Sequence, residues 1–332
     1  MSTPLEPLRF QRHFVEKVWG GRALESTPGI ELPPKKPIGE TWEIVDREKE
    51  NSIVAEGAFR GQSLRQLMLE RGPEILGSAP AGKHGRFPLL VKYLDANQNL
   101  SVQVHPDDAT AARMGGSAEA KTEAWYVLDA QPGGLVYAGL QPEIDAAAFE
   151  RLAPTAGIVK AMCSFPVHAG HCILLRGGTV HAIGAGVTIL EVQQNSDSTY
   201  RVYDWGRNGL DGKPRQVHLE QALECAHYGD TGATPQEPVW EAEGAGLESA
   251  SLAESHVFRM QGLRVSAPVD LDSAGEFRIY SVVGGSGKLL TDSGAMIKPL
   301  ARGDVWLLPA VCGIHSLAPD AGGLQLVAMG HA

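Results

Sequence analysis

A short unit that occurs twice constrains this chain more than any other feature. Residues 170–183 read GHCILLRGGTVHAI and residues 303–317 read GDVWLLPAVCGIHSL. Both run Gly, a polar residue, an apolar strand, a turn and then a His, and the second carries one extra turn residue. Each follows an aromatic strand and a Gly-rich turn, AWYVLDAQPGG in the first copy and RIYSVVGGSG in the second. Two copies of one strand–turn unit fit a duplicated β-sandwich or jelly-roll barrel. Gly (39 residues) and Pro (21 residues) supply the turns that so many short strands require, being together well above their usual share of roughly 12%.

The length of 332 residues is consistent with two domains at roughly 150 residues each. Predicted strands lie at 41–45, 87–94, 99–105, 123–130, 171–175 and 187–194, and predicted helices at 63–76, 106–114, 141–153 and 215–226. The stretch 230–252, rich in small and polar residues, reads as a linker. Past it only short strands and turns follow, so 253–332 reads as a small antiparallel β domain without helices. The class is mainly β, with a few helices inserted in the N-terminal part.

A net charge of −10 argues against general nucleic-acid or anionic-membrane binding. It leaves room for an anionic substrate, because a few basic groups in one cleft suffice. Cys163, Cys172, Cys225 and Cys312 form no CxxC pair and read as buried thiols. No signal-peptide core and no long apolar run is present, so the expected compartment is the cytosol.

The segment LSVQVHPDD (100–108) is where chemistry enters. Strand alternation places Ser101, Gln103 and His105 on one face and Leu100, Val102 and Val104 on the other. Taken alone, this segment equally fits a solvated polar stripe. Glu123 opens the next strand, and His181 follows a Gly-Gly-Thr turn in the following β unit. In a jelly-roll interior, Gln103, His105, Glu123 and His181 can meet at one metal. Two imidazoles, a carboxylate and an amide oxygen suit Zn²⁺, with Fe²⁺ or Mn²⁺ as further options.

Glu191, Gln193 and Asn195 share a face of the strand from 187, and Arg201 follows among Tyr200, Tyr203, Asp204 and Trp205. Arg201 suits a phosphate clamp or an oxyanion partner, or a structural ion pair in a surface loop. Lys92 interrupts an apolar strand, where a lysine either snorkels or faces a cavity. Near Ser101 and Lys121 it becomes a candidate phosphate ligand.

The stretches PIGETWEIVD (37–46), FPLLVKYLDANQNLSVQVHPDD (87–108), KTEAWYVLDA (121–130), GGTVHAIGAG (177–186) and LEVQQNSDSTYRVYDWGR (190–207) resemble, in order and spacing, the type I mannose-6-phosphate isomerase family in its short bacterial form. The resemblance covers residues 8–228 strongly and the C-terminal part weakly. It implies a duplicated cupin fold, with residues 1–229 as the catalytic cupin domain and 253–332 as a degenerate one. It implies a zinc site of Gln103, His105, Glu123 and His181, Arg201 as a catalytic residue and Glu191 as a cavity carboxylate. Ser101, Lys92 and Lys121 match positions lining the sugar-phosphate pocket.

Two departures stand out. Arg176 replaces a turn Pro of the family, which raises the question of an extra cation near the pocket. The second β unit keeps His315 but has Arg278 near the position of Glu123, and it is expected to bind no metal. The implied reaction interconverts mannose 6-phosphate and fructose 6-phosphate through a cis-enediol. The alternatives are another metal-dependent cupin sugar isomerase or epimerase, and a cupin that binds a sugar without turning it over.

Overall fold

The computed structural model describes residues 3–229, 233–291 and 297–332. Three antiparallel sheets make up the chain. A six-stranded sheet runs in the order His13–Gly21, Ile38–Ile44, Leu89–Ala96, Val187–Gln194, Glu123–Ala130, Cys172–Leu175. A five-stranded sheet runs Tyr200–Tyr203, Val102–Val104, His181–Ile183, Leu135–Leu140, Met162–Pro166. These two face each other as the walls of the first barrel. A nine-stranded sheet holds the C-terminal strands from Glu241–Gly244 to Ile314–His331.

The six-stranded sheet is buried on both faces, and its alternation shows which side is which. Along Leu89–Ala96, Leu89, Val91 and Tyr93 pack outward with Phe258, Phe277, Leu307 and Met329 of the C-terminal part. Leu94 and Ala96 point the other way, into the barrel beside Trp19, Trp125 and Ile189. Along Val187–Gln194, Leu190 and Val192 join the outer seam while Val187 and Ile189 line the barrel. The polar members of that inward row, Glu191 and Gln193, are therefore buried. Sheets covered on both faces lose the usual apolar-in, polar-out pattern.

The five-stranded sheet is covered outside by helices. Val102, Val104, Val180 and Ala182 pack on Phe149 of the helix Ala146–Leu152 and on Ala222 and Cys225 of the helix Leu219–Cys225. This leaves Ser101, Gln103 and His181 on the barrel side.

Several sequence-based expectations shift here. Strands 123–130 and 187–194 match the observed Glu123–Ala130 and Val187–Gln194. The helix expected over 141–153 begins only at Ala146, because Asp145 caps it by accepting from Ala148 N–H at 2.7 Å. The expected linker 230–252 is corrected in part. Its residues 230–232 lie outside the described ones, but Glu241–Gly244 and Leu247–Glu254 form a hairpin at the edge of the nine-stranded sheet. Small residues there signalled flexibility, whereas backbone pairing with Phe258–Val265 makes Leu247–Glu254 a strand, with a register shift between Ser251 and Ala253. The C-terminal sheet is also not confined to C-terminal residues, since Leu8–Arg9 pairs with Leu307 and Trp306.

The repeat is visible in the two histidines. His181 Nδ1 lies 2.8 Å from the carbonyl of Thr179, and His315 Nδ1 lies 3.0 Å from that of Gly313. Both rings are thus locked by a carbonyl two residues back. His315 Nε2 is taken up by the hydroxyl of Tyr280 at 2.7 Å.

Leu8 is fully buried against the C-terminal sheet although it sits near the start of the chain. Leu8→Ala is expected to cost about 2–5 kcal/mol, the range for truncating a buried leucine. Urea unfolding measures this, and a loss below ~1 kcal/mol would show that the strand is dispensable.

Candidate metal centre and sugar-phosphate pocket

Strand register assembles the site. In the five-stranded sheet Gln103 lies directly across from His181 on one side and Arg201 on the other. In the six-stranded sheet Glu191 lies across from Lys92 and Trp125, and Gln193 across from Glu123. The two facing rows enclose a cavity of about 290 Å³, lined among others by Ser101, Gln103, Lys92, Lys121, Glu191 and Arg201.

Beside this cavity, His105, Glu123 and His181 come together with one donor atom each, all within 4.8 Å of one another, and His181 lines the cavity itself. All three are buried. Glu123 Oε2 is 3.5 Å from His105 Nε2, and Oε1 is 3.3 Å from His181 Nε2. Gln103 joins them through its amide, whose Nε2 is 3.2 Å from His181 Nε2. A half-turn of that amide exchanges its nitrogen and oxygen and turns the oxygen, the atom that can ligate a metal, toward the cluster. The four residues proposed from strand alternation therefore converge.

The donor set fits a metal ion. His105 Nδ1 faces the carbonyl of Ser198 at 2.8 Å, and His181 Nδ1 faces Thr179 as above. A carbonyl partner fixes the proton on Nδ1 and leaves the Nε2 lone pair free, the arrangement of metal-ligating histidines. Burial lowers the pKa of both imidazoles, and for His105 the neighbouring Lys121 lowers it further, so both stay neutral. Both Glu123 carboxylate oxygens are buried without a hydrogen bond of good geometry, although Lys121 Nζ makes an ion pair with Oε2 at 2.8 Å. Burial would raise the Glu123 pKa, but Lys121 and the neighbouring groups outweigh it and hold the carboxyl ionised.

The turn before His181 is shaped by two glycines. A Cβ on Gly177 would lie 2.5 Å from the Asp107 backbone. Gly178 has φ +92° and donates its N–H to the carbonyl of His105 at 2.7 Å. This turn docks directly on the segment carrying His105, so the two imidazoles share one support. Arg176 beside it is exposed and does not line the cavity.

The remaining predicted residues take definite places. Lys92 Nζ is 2.9 Å from Glu191 Oε1 and 3.9 Å from Glu40 Oε2. Trp125 Nε1 donates to Glu191 Oε2 at 3.1 Å. Burial, then the nearby Glu123, raises the Glu191 pKa. Lys121 also lies 3.1 Å from His105 Nε2, so it stands over the metal-type cluster itself. The hydroxyl of Ser101 is 3.5 Å from Gln103 Oε1. Arg201 donates to the Gln216 carbonyl at 2.7 Å, while its buried Nε has no partner.

Sequence reasoning passed over Glu40. It accepts from Trp42 Nε1 at 2.7 Å and pairs with Lys17 at 3.0 Å. Burial would raise its pKa, but Lys17, Lys92 and Trp42 together bring it down to about 2. The available signal was an acid inside the strand GETWEIV. Arg215 was missed as well; it lines the cavity and forks onto Asp204 at 2.6 and 2.5 Å.

A buried histidine–carboxylate cluster with an adjoining amide, beside a cavity walled by cationic side chains in a jelly-roll barrel, is a candidate metal site of the kind found in enzymes of the cupin class. The profile of the phosphomannose isomerase type I catalytic domain matches residues 8–142. Over 92% of its length the chain is 36% identical to the mannose-6-phosphate isomerase of Streptococcus mutans, covering 92% of that protein. It is 33% identical to that of Bacillus subtilis over 92% of the chain and 93% of the relative. The crystal structure of a mannose 6-phosphate isomerase from Bacillus subtilis superposes with a TM-score of 0.87 at 29% identity, covering 99% of this chain and 100% of that one. The chain belongs to the type I phosphomannose isomerase family.

Lys92 is the shared counter-ion of two buried carboxylates. Lys92→Met is expected to destabilise the fold by about 3–5 kcal/mol, the usual cost of leaving a buried charge unpaired. Chemical denaturation reads this directly, and a change within ~0.5 kcal/mol would show that Glu40 and Glu191 do not depend on it.

Proposed function

We propose that this chain interconverts mannose 6-phosphate and fructose 6-phosphate, with Gln103, His105, Glu123 and His181 as the metal ligands. The observation that carries this reading is the convergence of those side chains beside a cavity walled by Lys92, Lys121, Glu191 and Arg201. A divalent ion, Zn²⁺ by the character of the donors with Fe²⁺ or Mn²⁺ also suited, supplies a Lewis acid that polarises the substrate carbonyl.

The chain's own residues do the rest. The open-chain sugar phosphate lies with its C1–C2 end toward the metal ligands. Ser101, Lys92 and Lys121 hold the sugar phosphate and fix its orientation, which lowers the entropic part of the barrier. Glu191 removes the proton from C2 of the aldose, and the C–H electron pair forms the C1–C2 double bond as the carbonyl oxygen takes up charge. Arg201 stands by that oxygen as a fixed cation. The O2 proton of this intermediate passes to O1, the O2 electron pair forms the carbonyl at C2, and Glu191 returns its proton to C1 as the C1–C2 double bond opens, giving the ketose. A carboxylate whose pKa is raised by burial is matched to this shuttle, and Trp125 and Lys92 hold it in place.

In this reading residues 1–229 form the catalytic domain and 253–332 a partner domain whose His315 is closed off by Tyr280. A cytosolic location fits a sugar-phosphate substrate. None of the described helices is long and apolar enough to cross a membrane.

Metal removal tests the proposal. Protein treated with a chelator and verified metal-free is expected to lose conversion of mannose 6-phosphate in a coupled assay and to regain it with Zn²⁺. Full activity without metal would sink the metal role. Omitting the 6-phosphate from the substrate separates this reading from other cupin sugar isomerases. In a second test, Arg201→Ala is expected to lower turnover by about 10²–10³-fold, as for loss of a charge-stabilising donor, with metal content retained. Turnover near the parent value would remove Arg201 from the mechanism.

A further inference from the structure

A second convergence of histidine and carboxylate lies outside the barrel cavity. The turn between Met162–Pro166 and Cys172–Leu175 carries His168 and His171, and both rings meet Glu237. His168 Nε2 is 2.7 Å and His171 Nε2 is 2.9 Å from the same oxygen, Glu237 Oε1. The rings lie 3.8 Å apart between centroids at an interplanar angle of 33°, so both edges aim the same way.

Both segments are held by backbone bonds. Gly170 N–H donates to the Val127 carbonyl at 2.9 Å, and His171 N–H to the His168 carbonyl at 3.2 Å. Gly170 has φ +99°, a turn conformation that favours glycine. Beside Glu237, Gln236 exchanges two backbone hydrogen bonds with Cys172, at 3.0 and 2.8 Å. The donors are thus placed by the main chain rather than by the flexibility of exposed side chains.

The hydrogen bonding asks for a cation at this point. His168 Nδ1 faces the Ala169 carbonyl at 3.0 Å and must carry a proton there. In the neutral ring the Nε2 lone pair then meets a carboxylate oxygen at 2.7 Å, which is repulsive unless positive charge lies between them, a second ring proton or a bound metal ion. His171 Nδ1 accepts only a long bond of 3.3 Å from His168 N–H. An incoming ion at His171 Nε2 moves that ring's proton to Nδ1, and its coordination replaces both this weak contact and the 2.9 Å bond from Nε2 to Glu237 Oε1.

We propose that His168, His171 and Glu237 form a second metal site, a surface one that takes a divalent transition ion of the Zn²⁺ type. Two imidazoles and one carboxylate suit such ions, and the exposed side leaves the fourth position to water. The bound ion ties the turn at 167–171 to the segment that leads into the C-terminal sheet, and so stabilises the protein.

The test counts metal. The parent protein and the double variant His168→Ala/His171→Ala are brought to dialysis equilibrium with Zn²⁺, and the ion bound per chain is measured. The readout is the difference between the two, so filling of the barrel cluster cancels. The parent is expected to hold one more Zn²⁺ per chain, and added Zn²⁺ is expected to raise its Tm by more than it raises that of the variant, which keeps the barrel cluster. Equal stoichiometry overturns the proposal. If the double variant is misfolded by circular dichroism, Glu237→Gln decides: loss of the same equivalent supports the site, and its retention overturns it.

Discussion

Everything at the site depends on the seam between the six-stranded sheet and the C-terminal sheet. Tyr93, Val91, Leu190 and Val192 are packed there against Phe258, Phe277, Leu307 and Met329. Each fully buried side chain of this kind contributes about 1.5–3 kcal/mol. With that outer face closed, the inward face is free to carry polar residues without losing its hold on the fold. The C-terminal barrel therefore acts on the chemistry without touching it, by supplying the apolar cover that lets Lys92, Glu123 and Glu191 point into a cavity.

A cavity lined this way faces an electrostatic constraint. Lys17, Lys92 and Lys121 are set against Glu40, Glu191 and Glu123, each within ion-pair distance of an opposite charge. Buried charges survive when paired, and removing one partner is costly. Arg215 is matched by Asp204. Arg201 is not matched by any ion pair among the described residues, and its inner nitrogen lacks a partner. On a chain with net charge −10, this guanidinium is thus a cavity cation left without a carboxylate partner among the described residues.

How much of this was legible in the sequence follows from which interactions are local. Strand alternation within LSVQVH and VTILEVQQ groups the site residues by face, and that grouping holds except at Leu100, which precedes the strand Val102–Val104 and lines the cavity beside Ser101 instead of packing outward with Val102 and Val104. Alternation does not say which face is inside. That was settled by cover from residues more than sixty positions away, such as Phe258 over Leu190. Register was equally hidden, since nothing near Glu191 announces that Lys92 and Trp125 lie across from it. The hairpin at 241–254 was misjudged because small residues mark loops and edge strands alike, and only pairing with Phe258–Val265 distinguishes them. Glu40 went unread because an acid in a strand is ordinarily solvated, and here two lysines and an indole hold it.

The pairing of Leu8 with Leu307 joins the two extremes of the chain. A ribosome releases residue 8 long before residue 307 exists. The strand Leu8–Arg9 therefore waits for its partner through most of synthesis, and the outer seam cannot close until the end. Closing so long a loop carries a large entropic cost in the search for the native state. The apolar outer face of the six-stranded sheet, with Val91, Tyr93, Leu190 and Val192, is then uncovered during that interval, on the very side that later supports the site.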